Sequence, residues 1–166
     1  MHEVNRLMRL TENLSKFRKV PVVKTKEDIK SIIEECISML EQHIQKKNIN
    51  VKVQGEACTV DVDRGQIKQV FLNIIGNAIE AVGENGKIDI SIGKDSNFVH
   101  IKVKDNGSGI PEDIIDEIFD PWFTTKKGGT GLGLPISLHI IKEHDGDIKV
   151  HSKQGEGTTF EIILPR

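Results

Sequence analysis

The sequence predicts an α/β fold: a two-layer sandwich in which a mixed, mostly antiparallel sheet is covered by three helices on one face. Three observations carry that prediction. Apolar residues recur at helical spacing in three internal segments, each with a single apolar face. Between those segments the pattern switches to alternation, as in strands with one buried side. The alternating segments in the middle and at the end come in pairs separated by turn residues, as hairpins do.

Taken in chain order, residues 1–19 read as a helix, because Val4, Leu7, Leu10, Leu14 and Phe17 form one apolar stripe. No capping signal opens it, as if it continued something longer. Val20-Pro21 ends it, since proline removes a donor and restricts its predecessor. Residues 20–25 read as a linker or short extended segment. Thr25-Lys26-Glu27-Asp28 fits a capping box for a helix with Ile29, Ile32, Ile33, Cys36, Ile37, Leu40 and Ile44 on one face, and Asn48 is its stop. Residues 50–54 and 59–62 alternate like two short strands. Asp63, with Gln66 three residues on, caps a second helix built on Ile67, Val70, Phe71, Ile74, Ile75, Ala78 and Val82. Residues 83–86 break it. Residues 87–93 and 98–104 form an antiparallel hairpin, and a short helix follows Pro111. Residues 119–132 are loop-like, residues 134–144 are helical, and residues 147–152 and 158–164 close the chain as a hairpin around Gln154-Gly155-Glu156-Gly157.

Composition narrows the function classes. The 166 residues suit one domain with a short appendage. A net charge of -2 gives no basic field for nucleic acid. No apolar run has membrane-spanning length and no signal peptide opens the chain, so a cytoplasmic domain is expected, although a longer parent can carry an anchor. Cys36 and Cys58 lack metal-type spacing and read as reduced, partly buried thiols. The six histidines show no ligand spacing with a carboxylate or cysteine partner and read as structural or solvated.

The chemistry gathers in three places. Asn73 and Asn77 lie one helical turn apart, so their amides share a face, with Gln69 and Glu80 on or near it. Oxygen donors of this kind suit magnesium, which keeps several waters and binds phosphates alongside few protein groups; two solvated amides are the plain alternative. Asp105 ends a strand and opens Asp105-Asn106-Gly107-Ser108-Gly109. Asp-Asn-Gly is a common turn, but a buried carboxylate there would accept from the amino group of adenine and reject a carbonyl-bearing base. Gly107 and Gly109 let the backbone pass close to a ring. Gly128-Gly129-Thr130-Gly131-Leu132-Gly133-Leu134 leads into a helix whose amides and N-terminal dipole cradle anionic oxygens. Lys126 and Lys127 stand within reach of outer phosphates, or are solvated loop residues. Phe119, Trp122 and Phe123 flank this loop as core anchors or as parts of a hinged lid. Together these residues read as an ATP site.

The ordered set Asn73-x-x-x-Asn77-Ala78, Asp105-x-Gly107-x-Gly109, Phe119-x-x-x-Phe123, Gly129-x-Gly131-x-Gly133 and Gly155-x-Gly157-Thr158 resembles the catalytic and ATP-binding domain of bacterial sensor histidine kinases. That domain belongs to a wider group with gyrase, HSP90 and mismatch-repair ATPases. Pro121-Trp122-Phe123-Thr124-Thr125-Lys126 before the glycine loop is similar to nitrogen-regulatory and sporulation-type kinases. The resemblance covers residues 26–166 and implies a Bergerat-type ATP-binding fold with ATP and magnesium as ligands. It implies that Asn77 and Asn73 coordinate magnesium and that Asp105 meets adenine, near Ile110 and Thr158. Residues 119–130, beginning at Phe119, become a lid. Lys126 and the amides of Gly129, Thr130, Gly131, Leu132, Gly133 and Leu134 hold phosphates, with Lys126 offsetting charge during transfer.

The ATPase branches resemble Glu-x-x-x-Asn in the first motif, where the glutamate activates water. Here the position is Asn73, and an amide takes no proton from water at neutral pH. The resemblance therefore implies phosphoryl transfer to a histidine on a helical hairpin, in the same parent chain or its dimer partner, with a response regulator downstream. Residues 1–19 resemble the second helix of that hairpin, and His2-Glu3 fits the acceptor pattern only superficially. The chain is then expected to be a catalytic part whose acceptor histidine lies elsewhere. An anti-sigma-type serine kinase and a nucleotide-gated interaction module share this fold and stand as alternatives.

Overall fold

The computed structural model describes residues 21–126 and 128–166. The expected helix over residues 1–19 lies outside these. Seven strands and four helices follow in the order β1 (Thr25–Asp28), α1 (Ile29–Met39), α2 (Glu41–Lys46), β2 (Asn50–Gln54), β3 (Thr59–Val62), α3 (Arg64–Ala81), β4 (Lys87–Lys94), β5 (Phe98–Asp105), α4 (Gly133–Glu143), β6 (Asp147–Lys153) and β7 (Gly157–Pro165).

A five-stranded sheet has the order β2-β4-β5-β7-β6. β2 runs parallel to β4 and the remaining pairs are antiparallel. β1 and β3 form a separate two-stranded antiparallel ribbon. The alternation expected of a one-sided sheet is present. Ile90, Val103 and Phe160 stand in one cross-strand row, and Ile92, Ile101, Ile162 and Ile148 in the next. All face the core with Ile29, Ile33, Val70, Phe71, Ile74 and Ile141 from the helices. The expected two-layer sandwich, with α1, α3 and α4 on one face, is the observed architecture.

Three local expectations change. Thr25 does not open a helix. Residues 25–28 pair with β3, and the cap of α1 is Asp28, whose Oδ1 accepts from Lys30 N at 3.2 Å and also from Cys58 N at 3.0 Å. One carboxylate thus caps the helix and fixes the ribbon, a role Thr25 in the strand cannot fill. The expected single helix up to Asn48 is broken at Leu40 (φ -97°, ψ 3°), leaving α2 as a short separate turn of helix. The helix after Pro111 is only a 3-10 turn, Glu112–Ile114. By contrast, α3 begins as expected, with Asp63 accepting from Gln66 N at 3.0 Å.

Both ends of α4 are fastened to α3. His144, fully buried after α4, donates Nδ1–H to Ile140 O at 2.7 Å, so its Nε2 is free to accept from Asp63 N at 2.9 Å. At the other end Asn73 Nδ2 donates to Gly133 O and Ser137 Oγ, each at 3.1 Å. These two pins set the angle at which α4 presents its N-terminus.

Candidate nucleotide site

A cavity of about 750 Å³ opens between α3, the end of β5, β7 and the loop before α4. That is the size range of small-ligand sites, about 300–1,000 Å³. Its two ends differ in chemistry.

At the closed end lies Asp105, only 3% exposed. The alternation of β5 carries Val99, Ile101 and Val103 into the core and delivers Asp105 to the same face, opposite Ile88. Its Oδ1 accepts from Gly107 N at 2.8 Å and from Thr158 N at 3.3 Å. Burial pushes its carboxyl above the ordinary 3.8, against those two N–H groups, which pull it down. Oδ2 accepts no bond among the described residues, yet no buried side-chain oxygen there is both sealed and unpartnered. Oδ2 therefore keeps some exposed surface, and Asp105 lines the cavity, where this oxygen can accept from a donor-bearing ring. Gly157 permits this arrangement: its φ is +101° and a Cβ there would stand 2.1 Å from Asp105 O. Ile110, Ile118, Leu134 and Phe160 supply an apolar wall beside the carboxylate. Ser152 accepts from Ile110 N at 2.8 Å and shares a 2.9 Å bond with Thr158 Oγ1, tying that wall to β7.

At the open end the groups are polar. Asn77 projects from α3, and Lys126 reaches across from the loop to donate to Asn77 Oδ1 at 2.7 Å and to Glu80 Oε2 at 2.5 Å. Gly129, Thr130, Gly131 and Gly133 line this end. α1 and α3 are capped by aspartates, whereas α4 begins at Leu132 with no side-chain cap. The first amides of α4 are left for an anion at the mouth of the cavity. Gly131 (φ +66°) lets the loop fold onto Trp122, whose N donates to Gly131 O at 3.0 Å. Trp122 itself has φ +73° and is 50% exposed.

Of the expected site residues, Asn77, Asp105, Gly109, Ile110, Lys126, Gly129, Thr130, Gly131, Gly133, Leu134 and Thr158 line this one cavity. Asn73, Gly107, Phe119 and Leu132 stand behind it. Asn73 pins α4, Gly107 holds Asp105, and Phe119 and Leu132 pack on the core. Lys127 lies outside the described residues. Glu80, expected only as a neighbour of the asparagines, lines the cavity too, and so do Ala78, Ala81 and Phe160, which the sequence reading does not place there. Their signal lies in the pattern: Ala81 is a small residue one helical turn beyond Asn77, Ala78 directly follows Asn77, and Phe160 shares a strand face with Thr158. No group of histidines, cysteines and carboxylates suited to a metal occurs among the described residues, so a cation here would rest on amide and carboxylate oxygens and on a ligand's own phosphates. The residues fit that demand, because Asn77 and Glu80 already hold a cation, the Lys126 ammonium. No described helix is long and apolar enough to cross a membrane.

Comparison with known proteins shows the family. The profile of the histidine kinase-, DNA gyrase B- and HSP90-like ATPases matches residues 62–166. Sporulation kinase C of Bacillus subtilis (strain 168) is 39% identical over 140 residues, covering 82% of this chain and 33% of its own length. The chain thus spans about a third of that relative. The solved catalytic domain of histidine kinase ThkA is 39% identical with a TM-score of 0.78, covering 86% of this chain and 95% of that one. The structure of ThkA in complex with the response regulator protein TrrA is 34% identical with a TM-score of 0.81, covering 99% of this chain and 48% of that one. With its buried Asp105, its uncapped helix over a glycine loop and these relatives, the chain belongs to the histidine kinase-, DNA gyrase B- and HSP90-like ATPase family, as an ATP-binding catalytic domain of the histidine kinase kind.

Proposed function

We propose that this domain binds Mg-ATP with adenine against Asp105 and the phosphates under Lys126 and residues 129–134, and presents the γ-phosphate to a histidine on a helical hairpin. The observation that carries the reading is one cavity with an acceptor-only carboxylate at its apolar end and a lysine, an asparagine and an uncapped helix at its polar end. Asp105 Oδ2 accepts from the exocyclic amine of adenine. Asn77 Oδ1 holds magnesium, and Asn73 acts through α4 by keeping Gly133 in place. Magnesium, when bound, neutralises phosphate charge. Lys126 and the α4 amides stabilise the charge that spreads over the transferred group. No carboxylate stands at position 73 to activate water, which favours transfer over hydrolysis.

We infer the division into residues 1–19 as the end of a dimerisation and acceptor hairpin and a linker beginning at residue 20, with the catalytic domain starting at β1, so that Thr25, expected in the linker 20–25, belongs with the domain expected over 26–166. The parent then acts as a homodimer and passes phosphate to a response regulator; the solved complex of ThkA with the response regulator protein TrrA supports the second part. The test is mixing. The chain is incubated with γ-labelled ATP, magnesium and a separate hairpin carrying an acceptor histidine. Acid-labile label on the hairpin, absent with Asn77→Ala and Asp105→Ala, is expected. Rapid release of phosphate into water, abolished by Asn73→Ala, would contradict the proposal.

A further inference from the structure

Lys126 fastens the loop to α3 in a way that phosphate binding alone does not require. Its ammonium sits between two oxygens, Asn77 Oδ1 at 2.7 Å and Glu80 Oε2 at 2.5 Å. Asn77 and Glu80 are three residues apart on α3 and so share a face. The backbone around the lysine is held as well: Lys126 N donates to Thr124 Oγ1 at 3.1 Å, and Gly129 N donates to Lys126 O at 3.1 Å. The contact therefore positions the whole turn over the open end of the cavity.

A carboxamide oxygen and a carboxylate are hard donors, the kind that magnesium takes alongside water and phosphate. Asn77 Oδ1 cannot serve an ammonium and a divalent ion together, because the two cations would meet at contact distance and repel. We propose that Asn77 and Glu80 form one cation seat, filled by the Lys126 ammonium in the nucleotide-free domain and by magnesium in the Mg-ATP complex. Glu80 is then a positioning residue that couples arrival of the metal to release of Lys126 toward the phosphates. The pair is suited to exchange: Lys126 and Glu80 are 46% and 63% exposed, so the tie is weak and opens without uncovering a buried charge. The inference rests on the Mg-ATP reading above.

Three readouts, tryptic cleavage, Trp122 emission and the magnesium dependence of ATP affinity, test it without relying on catalysis. Trypsin cuts after Lys126 only when its side chain is released, and Trp122, the one tryptophan of the chain, reports on the same loop by fluorescence. In the nucleotide-free state Glu80→Gln is expected to raise the rate of cleavage after Lys126 up to about 5-fold, in keeping with an exposed pair. It should move Trp122 emission toward the Mg-ATP value of the unaltered chain. The ratio of ATP affinity with magnesium to that in chelator should shrink, and Glu80→Asp should restore it in part. Cleavage, emission and magnesium dependence all unchanged in Glu80→Gln would overturn the cation seat while leaving ATP binding in place. Failure of the unaltered chain to bind ATP at all, measured by calorimetry, would instead strike the nucleotide reading itself.

Discussion

Asp105 concentrates the chemistry of this domain in one side chain. Its carboxylate is buried on the apolar face of β5, held by two backbone N–H groups, and one oxygen is left for a ligand. Asp105→Asn keeps the acceptor at Oδ1 but turns the free position into a donor facing the adenine amine. ATP affinity is expected to fall at least about 10-fold, the scale of one mismatched buried hydrogen bond, with the fold as stable as before or more so. The pH dependence has a definite sign. Burial raises the native pKa above 3.8, so the native state holds its proton more tightly than the unfolded chain. The carboxylate therefore costs stability above its native pKa and stops doing so as pH falls through that value toward 3.8. Melting curves should show the advantage of Asp105→Asn greatest at neutral pH and narrowing on acidification. Gly157→Ala places a methyl 2.1 Å from Asp105 O at a positive φ; a loss of about 1–3 kcal/mol and weaker ATP binding are expected, measured by denaturation and calorimetry. At this scale the sequence was highly legible. Asp105 ends an alternating apolar run, and that position already predicts a carboxylate turned inward. Asn73 was less so: two asparagines one turn apart read as equivalent, and only packing separates the one at the cavity from the one that pins α4.

At the scale of elements, function depends on how α4 is aimed. Its N-terminus is uncapped and its two ends are tied to α3 through Asn73 and His144. His144→Ala removes the acceptor for Asp63 N–H in a buried setting, and a loss of about 1–3 kcal/mol is expected in chemical denaturation. Asn73→Ala should weaken ATP binding while leaving residual magnesium dependence through Asn77, the outcome that separates a pin from a ligand in a calorimetric titration with and without the metal. The strong 3.6-residue periods of α1, α3 and α4 made these helices readable. β1 was not, because Thr25-Lys26-Glu27-Asp28 has no apolar residue to mark a face and is a strand only through pairing with β3. The break at Leu40 was hidden for the opposite reason, since the apolar stripe continues across it.

For the whole molecule, the design is a sheet with helices on one face and the ligand cavity between that layer and a loop bridging β5 to α4. Sequence periods give the layers, but not the order of strands: β2 and β3 are neighbours in the chain yet lie in different sheets, and β2 joins β4 in parallel. Such long-range pairing is decided by the closure of the core rather than by local pattern. The segment before β1 docks beside the α3–α4 junction, with Lys24 Nζ 2.9 Å from Asp145 Oδ2 and Val23 N donating to Asp63 Oδ2 at 3.2 Å. It meets the helices at the end away from the cavity, where α3 and α4 are joined by His144. The most direct measurement of the central claim is calorimetric titration of the domain with ATP and, separately, GTP in excess magnesium. Saturable ATP binding, with GTP about 100-fold weaker because its ring oxygen faces the Asp105 carboxylate, is the expected result; equal affinity for both, or none for ATP, would contradict it.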